Sequence, residues 1–208
     1  MSEDNKNKNR EWNISTRVTQ LGRDPFKHFG FINTPTYRGS TVLFPTVEKL
    51  ETLDQAYTYG TKGTPTTRAL EEAWTKLSNA HDTVLVPSGL AAIDLALLTA
   101  TRAGAHILVT DSVYQPTRSF CDTILKKFGV SVEYYDPLMG KNIADIIRPE
   151  TTAILVESPG SQSMEIQDVP EISKVARNHD ICVILDNTWA TPLFYPPHDR
   201  GADIAIEA

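Results

Sequence analysis

Residues 152–186 read TAILVESPGSQSMEIQDVPEISKVARNHDICVILD, and this stretch decides the fold class. It opens on a short apolar run, 152–156, and closes on a second, 181–185. Between them, Asp168 can cap a helix, Pro170 suits its first turn, and Glu171 stands three residues after the cap. Ile172, Val175 and Ala176 then recur at helical spacing and point one apolar stripe toward a sheet. Strands that read as continuous apolar runs, joined through a helix, belong to a parallel sheet covered on both faces.

The same rhythm continues in both directions. Upstream, the pattern predicts helices over 68–77 and 89–100 and short buried strands over 83–86 and 106–110. It then predicts a helix over 120–128, a strand over 130–135 and a short helix over 142–147. Downstream, 203–206 starts one more strand. The expected class is α/β, a mainly parallel doubly wound sheet. Residues 14–62 carry turn signals such as Asn33-Thr34-Pro35 and Tyr37-Arg38-Gly39-Ser40, with amphipathic character only around 47–51. A long loop reads this way, and so does an arm that packs on another subunit. The first thirteen residues are nearly all polar, with Trp12 as the one anchor, which predicts a flexible segment.

The 208 residues are 40% apolar and 22% charged, which excludes a wholly disordered chain. No apolar run has the length of a membrane helix, and no apolar signal core follows Met1. Twenty Lys+Arg against twenty-six Asp+Glu leave a net charge of −6, the wrong sign for a nucleic-acid binder. Cys121 and Cys182 make no disulfide framework, and the five histidines show no ligand spacing, so no metal is expected. The nucleotide fingerprints G-x-G-x-x-G and G-x-x-x-x-G-K-[ST] and the hydrolase elbow G-x-S-x-G are absent. These features predict a soluble, cytoplasmic protein.

Ligands of open parallel sheets bind beyond the carboxyl ends of the strands. Four segments fall there: Ser88-Gly89-Leu90-Ala91, Asp111-Ser112-Val113-Tyr114, Glu157-Ser158-Pro159-Gly160-Ser161 and Asp186-Asn187-Thr188-Trp189. Ser88 and Gly89 read first as a helix cap with a tight turn, and alternatively as an anion site built from free N–H groups. Tyr114 reads as a packing aromatic or as one that stacks on a ring. Asp186 is either a plain turn residue or a carboxylate awaiting a positive partner, since desolvation at a sheet end is costly without one.

Taken in order, these motifs, with Ala92, Tyr114-Gln115-Pro116 and Asp186-Asn187-Thr188-Trp189-Ala190, resemble the pyridoxal-phosphate (PLP) enzymes of cysteine and methionine metabolism. Asn33-Thr34-Pro35, Arg38-Gly39-Ser40-Thr41, Tyr59-Gly60, Gly63-Thr64 and Asp136-Pro137-Leu138 add to the likeness, which covers nearly everything after about Asn13. The resemblance implies a fold-type-I enzyme, usually a homotetramer, with residues 1–62 as an oligomerisation arm and 63–208 as an incomplete PLP-binding large domain. It implies that Ser88, Gly89 and Leu90 hold the cofactor phosphate. Tyr114 would stack on the ring and help to handle protons, Asp186 would pair with the ring nitrogen, and Thr188 would lie close to the ring. Tyr59 would reach a neighbouring subunit's phosphate, so Tyr114 and Tyr59 are the catalytic candidates.

The implied reaction is carbon–sulfur β-elimination on a small sulfur amino acid, L-cystathionine, giving homocysteine, pyruvate and ammonia in methionine biosynthesis. Thr61 stands where many relatives carry a phosphate-binding arginine, with Lys62 next to it. Ser161 stands where γ-eliminating relatives carry asparagine, which favours the β-eliminating side. The family's Schiff-base lysine would fall just past Ala208, so the 208 residues are expected to be a truncated, inactive N-terminal half. The open alternatives are a γ-synthase or γ-lyase type of relative and a non-catalytic fragment acting in assembly.

Overall fold

The computed structural model describes residues 12–208; the polar residues 1–11, expected to be flexible, lie outside them. The chain divides into two compact units, one ending at Leu85 and one running from Val86 to Ala208.

In the first unit, α1 (Ile14–Gln20) starts where the Asn13 side chain accepts the Ser15 N–H, and α2 (Val47–Thr52) is capped by Thr46. The sequence reading found α2 but not α1, whose apolar residues Ile14 and Val18 are about half exposed. The long helix α3 (Pro65–Ser78) carries a capping box between Thr64 and Thr67, with proline in its first turn. Thr66 ties the preceding chain to this helix: its hydroxyl accepts the Tyr37 N–H at 2.8 Å and donates to the Pro35 carbonyl at 2.8 Å.

Residues 83–86 do not form the expected buried strand. They join no ladder among the described residues, and Val84 is 72% exposed. An apolar run becomes a strand only where a neighbour supplies its hydrogen bonds.

The second unit alternates α4 (Gly89–Ala100), β1 (His106–Thr110), α5 (Gln115–Phe120), β2 (Ser131–Tyr135), β3 (Thr151–Glu157), α6 (Val169–Arg177), β4 (Cys182–Asp186), α7 (Thr191–Phe194) and β5 (Ile204–Ile206). After α5 the helix continues through a π turn, Cys121–Leu125, so it starts five residues earlier than the sequence suggested; Pro116 marks that start. The expected helix over 142–147 is a 3₁₀ segment, Gly140–Ile146. The five strands are all parallel, in the order β2-β1-β3-β4-β5.

Alternate side chains of each strand face opposite layers. Ile107, Val109, Ala153, Leu155 and Ile184 pack with α4 and the π turn through Ile93, Leu97, Cys121 and Leu125. Leu108, Ile154, Val156, Val183 and Leu185 pack with α6 through Val169, Ile172 and Ala176. Two dry layers on one sheet explain the unbroken apolar runs, and each fully buried Leu or Ile contributes about 1.5–3 kcal/mol. The doubly wound parallel sheet expected from the sequence is therefore present. Its order reverses beside β1, which puts the crevice of such a fold at the carboxyl ends of β1 and β3.

Candidate functional site

The carboxyl end of the sheet gathers three of the four segments singled out in the sequence, and α4 opens on the fourth. Beyond β1, Tyr114 is held by both backbone groups: its N–H donates to Glu157 Oε2 at 2.8 Å, and its carbonyl accepts the Arg118 N–H at 3.1 Å. Its own side chain stays about half exposed. Arg118 braces the same turn, with its guanidinium 2.6 Å from Asp111 Oδ1 and 3.8 Å above the Tyr134 ring.

The loop after β3 is laced to the loop after β1. The Ser161 N–H donates to the Ser112 carbonyl at 2.8 Å, and Gly160 sits so close that a Cβ there would lie 2.5 Å from Ser112 Oγ. Only glycine allows that approach. Ser158 turns the same loop back, its hydroxyl accepting the Gln167 N–H. Gln167 also donates through Nε2 to Thr110 Oγ1 and to the Glu157 carbonyl, and accepts from the Tyr135 hydroxyl.

At the end of β4, Asp186 accepts the Thr188 N–H through Oδ1 at 3.0 Å. Thr188 Oγ1 accepts the Ala208 N–H. Between them Asn187 is fully buried and bridges the Tyr195 carbonyl and the Glu207 carboxylate, while its N–H donates to Ile206. Asn187 thus anchors the loop that carries Asp186 and Thr188, a role its polar character did not announce.

At the start of α4, Ser88 Oγ accepts the Ala91 N–H at 3.1 Å and the Ser88 carbonyl accepts that of Ala92. The first N–H groups of a helix have no acceptor within it. No acceptor is seen for those of Gly89 and Leu90 among the described residues. Ser88 caps the helix, and the Gly89 and Leu90 N–H groups follow it. Tyr59 belongs to the first unit, where it precedes the 3₁₀ turn Gly60–Lys62 and bridges Thr41. Its ring is about half exposed, and Gly60 approaches Gly39 so closely that a Cβ would meet the Gly39 carbonyl oxygen at 1.8 Å.

Sequence reasoning placed Glu157 in one of the four strand-end segments but gave it no role. It is 5% exposed, lies level with Asp186 in the β3–β4 register, and burial pushes its carboxyl up to about 7. The argument that flagged Asp186, a carboxylate closing an apolar strand, applied equally here.

The donor set suits a phosphorylated, protonatable ring: free N–H groups at a 12-residue helix start, an exposed aromatic, and a carboxylate with one oxygen already oriented. Among the described residues no cluster of His, Cys, Asp or Glu is placed to hold a metal, and no helix is long and apolar enough to cross a membrane.

A Rhizobium johnstonii protein named "Putative cystathionine beta-lyase" is 53% identical over 195 residues, 94% of this chain and 49% of its own length. Cystathionine beta-lyase MetC of Escherichia coli is 35% identical over 202 residues, 94% of this chain and 51% of its own. The crystal structure of cystathionine gamma-lyase from Lactobacillus plantarum, complexed with L-serine, superposes with a TM-score of 0.85 at 30% identity, covering 93% of this chain and 49% of that one. The chain spans about half the length of these relatives. The Cys/Met metabolism PLP-dependent enzyme family matches residues 15–208, and the chain belongs to that family.

Proposed function

We propose that this chain forms the cofactor-binding half of a PLP-dependent carbon–sulfur lyase acting on a small sulfur amino acid, with L-cystathionine as substrate and β-elimination as the reaction. The observation that carries the reading is the convergence of Tyr114, Asp186 and the opening turn of α4 at one end of a parallel sheet. When bound, PLP supplies an electron sink for the pair left at Cα, so that the Cβ–S bond can break.

The chain's own residues bind and orient. Gly89 and Leu90 hold the phosphate through their N–H groups, aided by the α4 dipole, and Ser88 keeps that turn closed. Tyr114 offers its ring as a stacking face and its hydroxyl as a proton carrier. Asp186 holds a proton on the ring nitrogen, and a ring kept cationic withdraws electrons better than a neutral one. The Thr188 N–H fixes the Asp186 carboxylate for that contact. Tyr59 serves a neighbouring subunit's phosphate in a homotetramer.

Pyridoxamine 5'-phosphate tests the site without activity, because its amine cannot be captured covalently by surface lysines. The 208-residue chain should bind it, and Asp186→Ala should weaken binding at least tenfold (about 1.4 kcal/mol or more). Equal binding by parent and Asp186→Ala would refute the assignment. In a polypeptide that carries this segment together with the other half of a relative's length, pyruvate from L-cystathionine marks β-elimination. The second reading, supported by the likeness to the Lactobacillus plantarum cystathionine gamma-lyase, requires 2-oxobutyrate instead.

A further inference from the structure

We propose that Glu157 is a positioning residue of the cofactor site, one buried side chain that fixes the ring-stacking Tyr114 and lies beside the Asp186 carboxyl that meets the ring nitrogen. The inference rests on the cofactor reading above and deepens it.

Three observations carry it. The first is a bond: Glu157 Oε2 accepts the Tyr114 N–H at 2.8 Å, across two loops otherwise joined by Ser112 and Ser161. The second is register: Glu157 pairs with Asp186 on neighbouring parallel strands. Paired residues on adjacent strands project from the same face, so the two carboxyls are neighbours. The third is burial: Glu157 is 5% exposed at the switch point of the sheet. A carboxylate with no structural duty is rarely retained in such a place, because burying its charge is costly.

Two adjacent carboxyls in a shared, poorly hydrated place do not both ionise readily. Burial above all pushes Glu157, the more deeply enclosed, toward its protonated form; the Tyr114 N–H opposes this, and the neighbouring Asp186 adds to it. Among the described groups that face Glu157, Asp186 on β4 is the charged one. The Tyr114 N–H on the β1 side and the Gln167 amide behind the strand are neutral, and the Tyr135 hydroxyl beyond Gln167 is held neutral by burial. A ring cation bound at Asp186 would then favour release of the Glu157 proton, so affinity should gain a component that rises with pH.

The experiment titrates the 208-residue chain and two variants with pyridoxamine 5'-phosphate from about pH 5.5 to 8.5, the range that spans a buried carboxyl's titration. Circular dichroism verifies the fold of each protein. Glu157→Gln retains an oxygen for the Tyr114 N–H but carries no charge; it should bind within about threefold of the parent at the acid end and lose the rising component. Glu157→Ala loses the acceptor and should bind about tenfold more weakly at every pH. Titration of the probe itself is common to all three proteins and cancels in the comparison. A parental pH slope in Glu157→Gln, or parental affinity in a folded Glu157→Ala, overturns the inference while leaving the cofactor reading intact. If Glu157→Ala does not fold, the Glu157→Gln slope decides alone. No binding by the parent overturns both readings together.

Discussion

Glu157 and Tyr114 are joined by a 2.8 Å hydrogen bond from the tyrosine backbone to a carboxyl that burial raises to about 7. The consequence for stability has a definite sign. The native state keeps the Glu157 proton up to about pH 7, whereas the unfolded chain releases it near the ordinary value of 4.5. Between those values the native state binds more protons, so stability falls as pH rises, by up to about 3 kcal/mol in all. Glu157→Gln should abolish that fall. His106 slopes the other way, because burial lowers its pKa and its stabilising effect is lost as pH drops through about 6.5. Urea unfolding of parent and Glu157→Gln at matched pH isolates the Glu157 contribution, and parallel pH curves would contradict it.

The sheet core gives a second expectation, in the strand that the sequence located and the segment that it misjudged. Leu155, 1% exposed in the centre of β3, should cost about 3 kcal/mol when truncated to alanine. Val84→Ala, in the unpaired 83–86 segment, should stay within about 0.5 kcal/mol of the parent. Chemical denaturation measures both, and a large Val84→Ala effect would restore the buried strand.

These two positions also show what was legible. β1 over 106–110 was readable to the residue because both faces are covered, and only His106 and Thr110 at its ends are polar. The run at 83–86 looked the same, but hydrophobicity reports a preference for burial and not the presence of a ladder partner. α1 was missed because its apolar residues meet solvent, although Asn13 carried a capping signal. At the site, Asp186 stood out as a carboxylate closing an apolar strand, yet Glu157, in the same position one strand away, was named only as part of a strand-end segment. A parallel register makes such residues neighbours, and register is not written in either strand alone.

Gly160 supplies a third expectation. A Cβ there would lie 2.7 Å from Ser112 Cβ, and neither loop can yield freely while Ser161 is bonded to Ser112. Gly160→Ala should cost about 1–3 kcal/mol and weaken pyridoxamine 5'-phosphate binding by moving the β3 loop. Adding Ser112→Gly should recover part of both losses, and a double-mutant cycle with no coupling would place the strain elsewhere.

Ser88 and Asp168 are both helix caps, and only one adjoins the proposed phosphate turn. Ser88 Oγ accepts the Ala91 N–H at 3.1 Å, and Asp168 Oδ1 accepts the Glu171 N–H at 3.2 Å. Removing either oxygen should destabilise the chain by about 1 kcal/mol. Their response to ligand should differ. A ligand that binds the native state alone raises the melting temperature by an amount that grows with the logarithm of its affinity. Asp168→Ala, with α4 untouched, should show the parental rise with pyridoxamine 5'-phosphate. In Ser88→Ala the turn that presents the Gly89 and Leu90 N–H groups is no longer pinned, and the rise should be smaller. Equal shifts in all three proteins would mean that the anion does not sit at the start of α4, and the phosphate assignment would have to move with it.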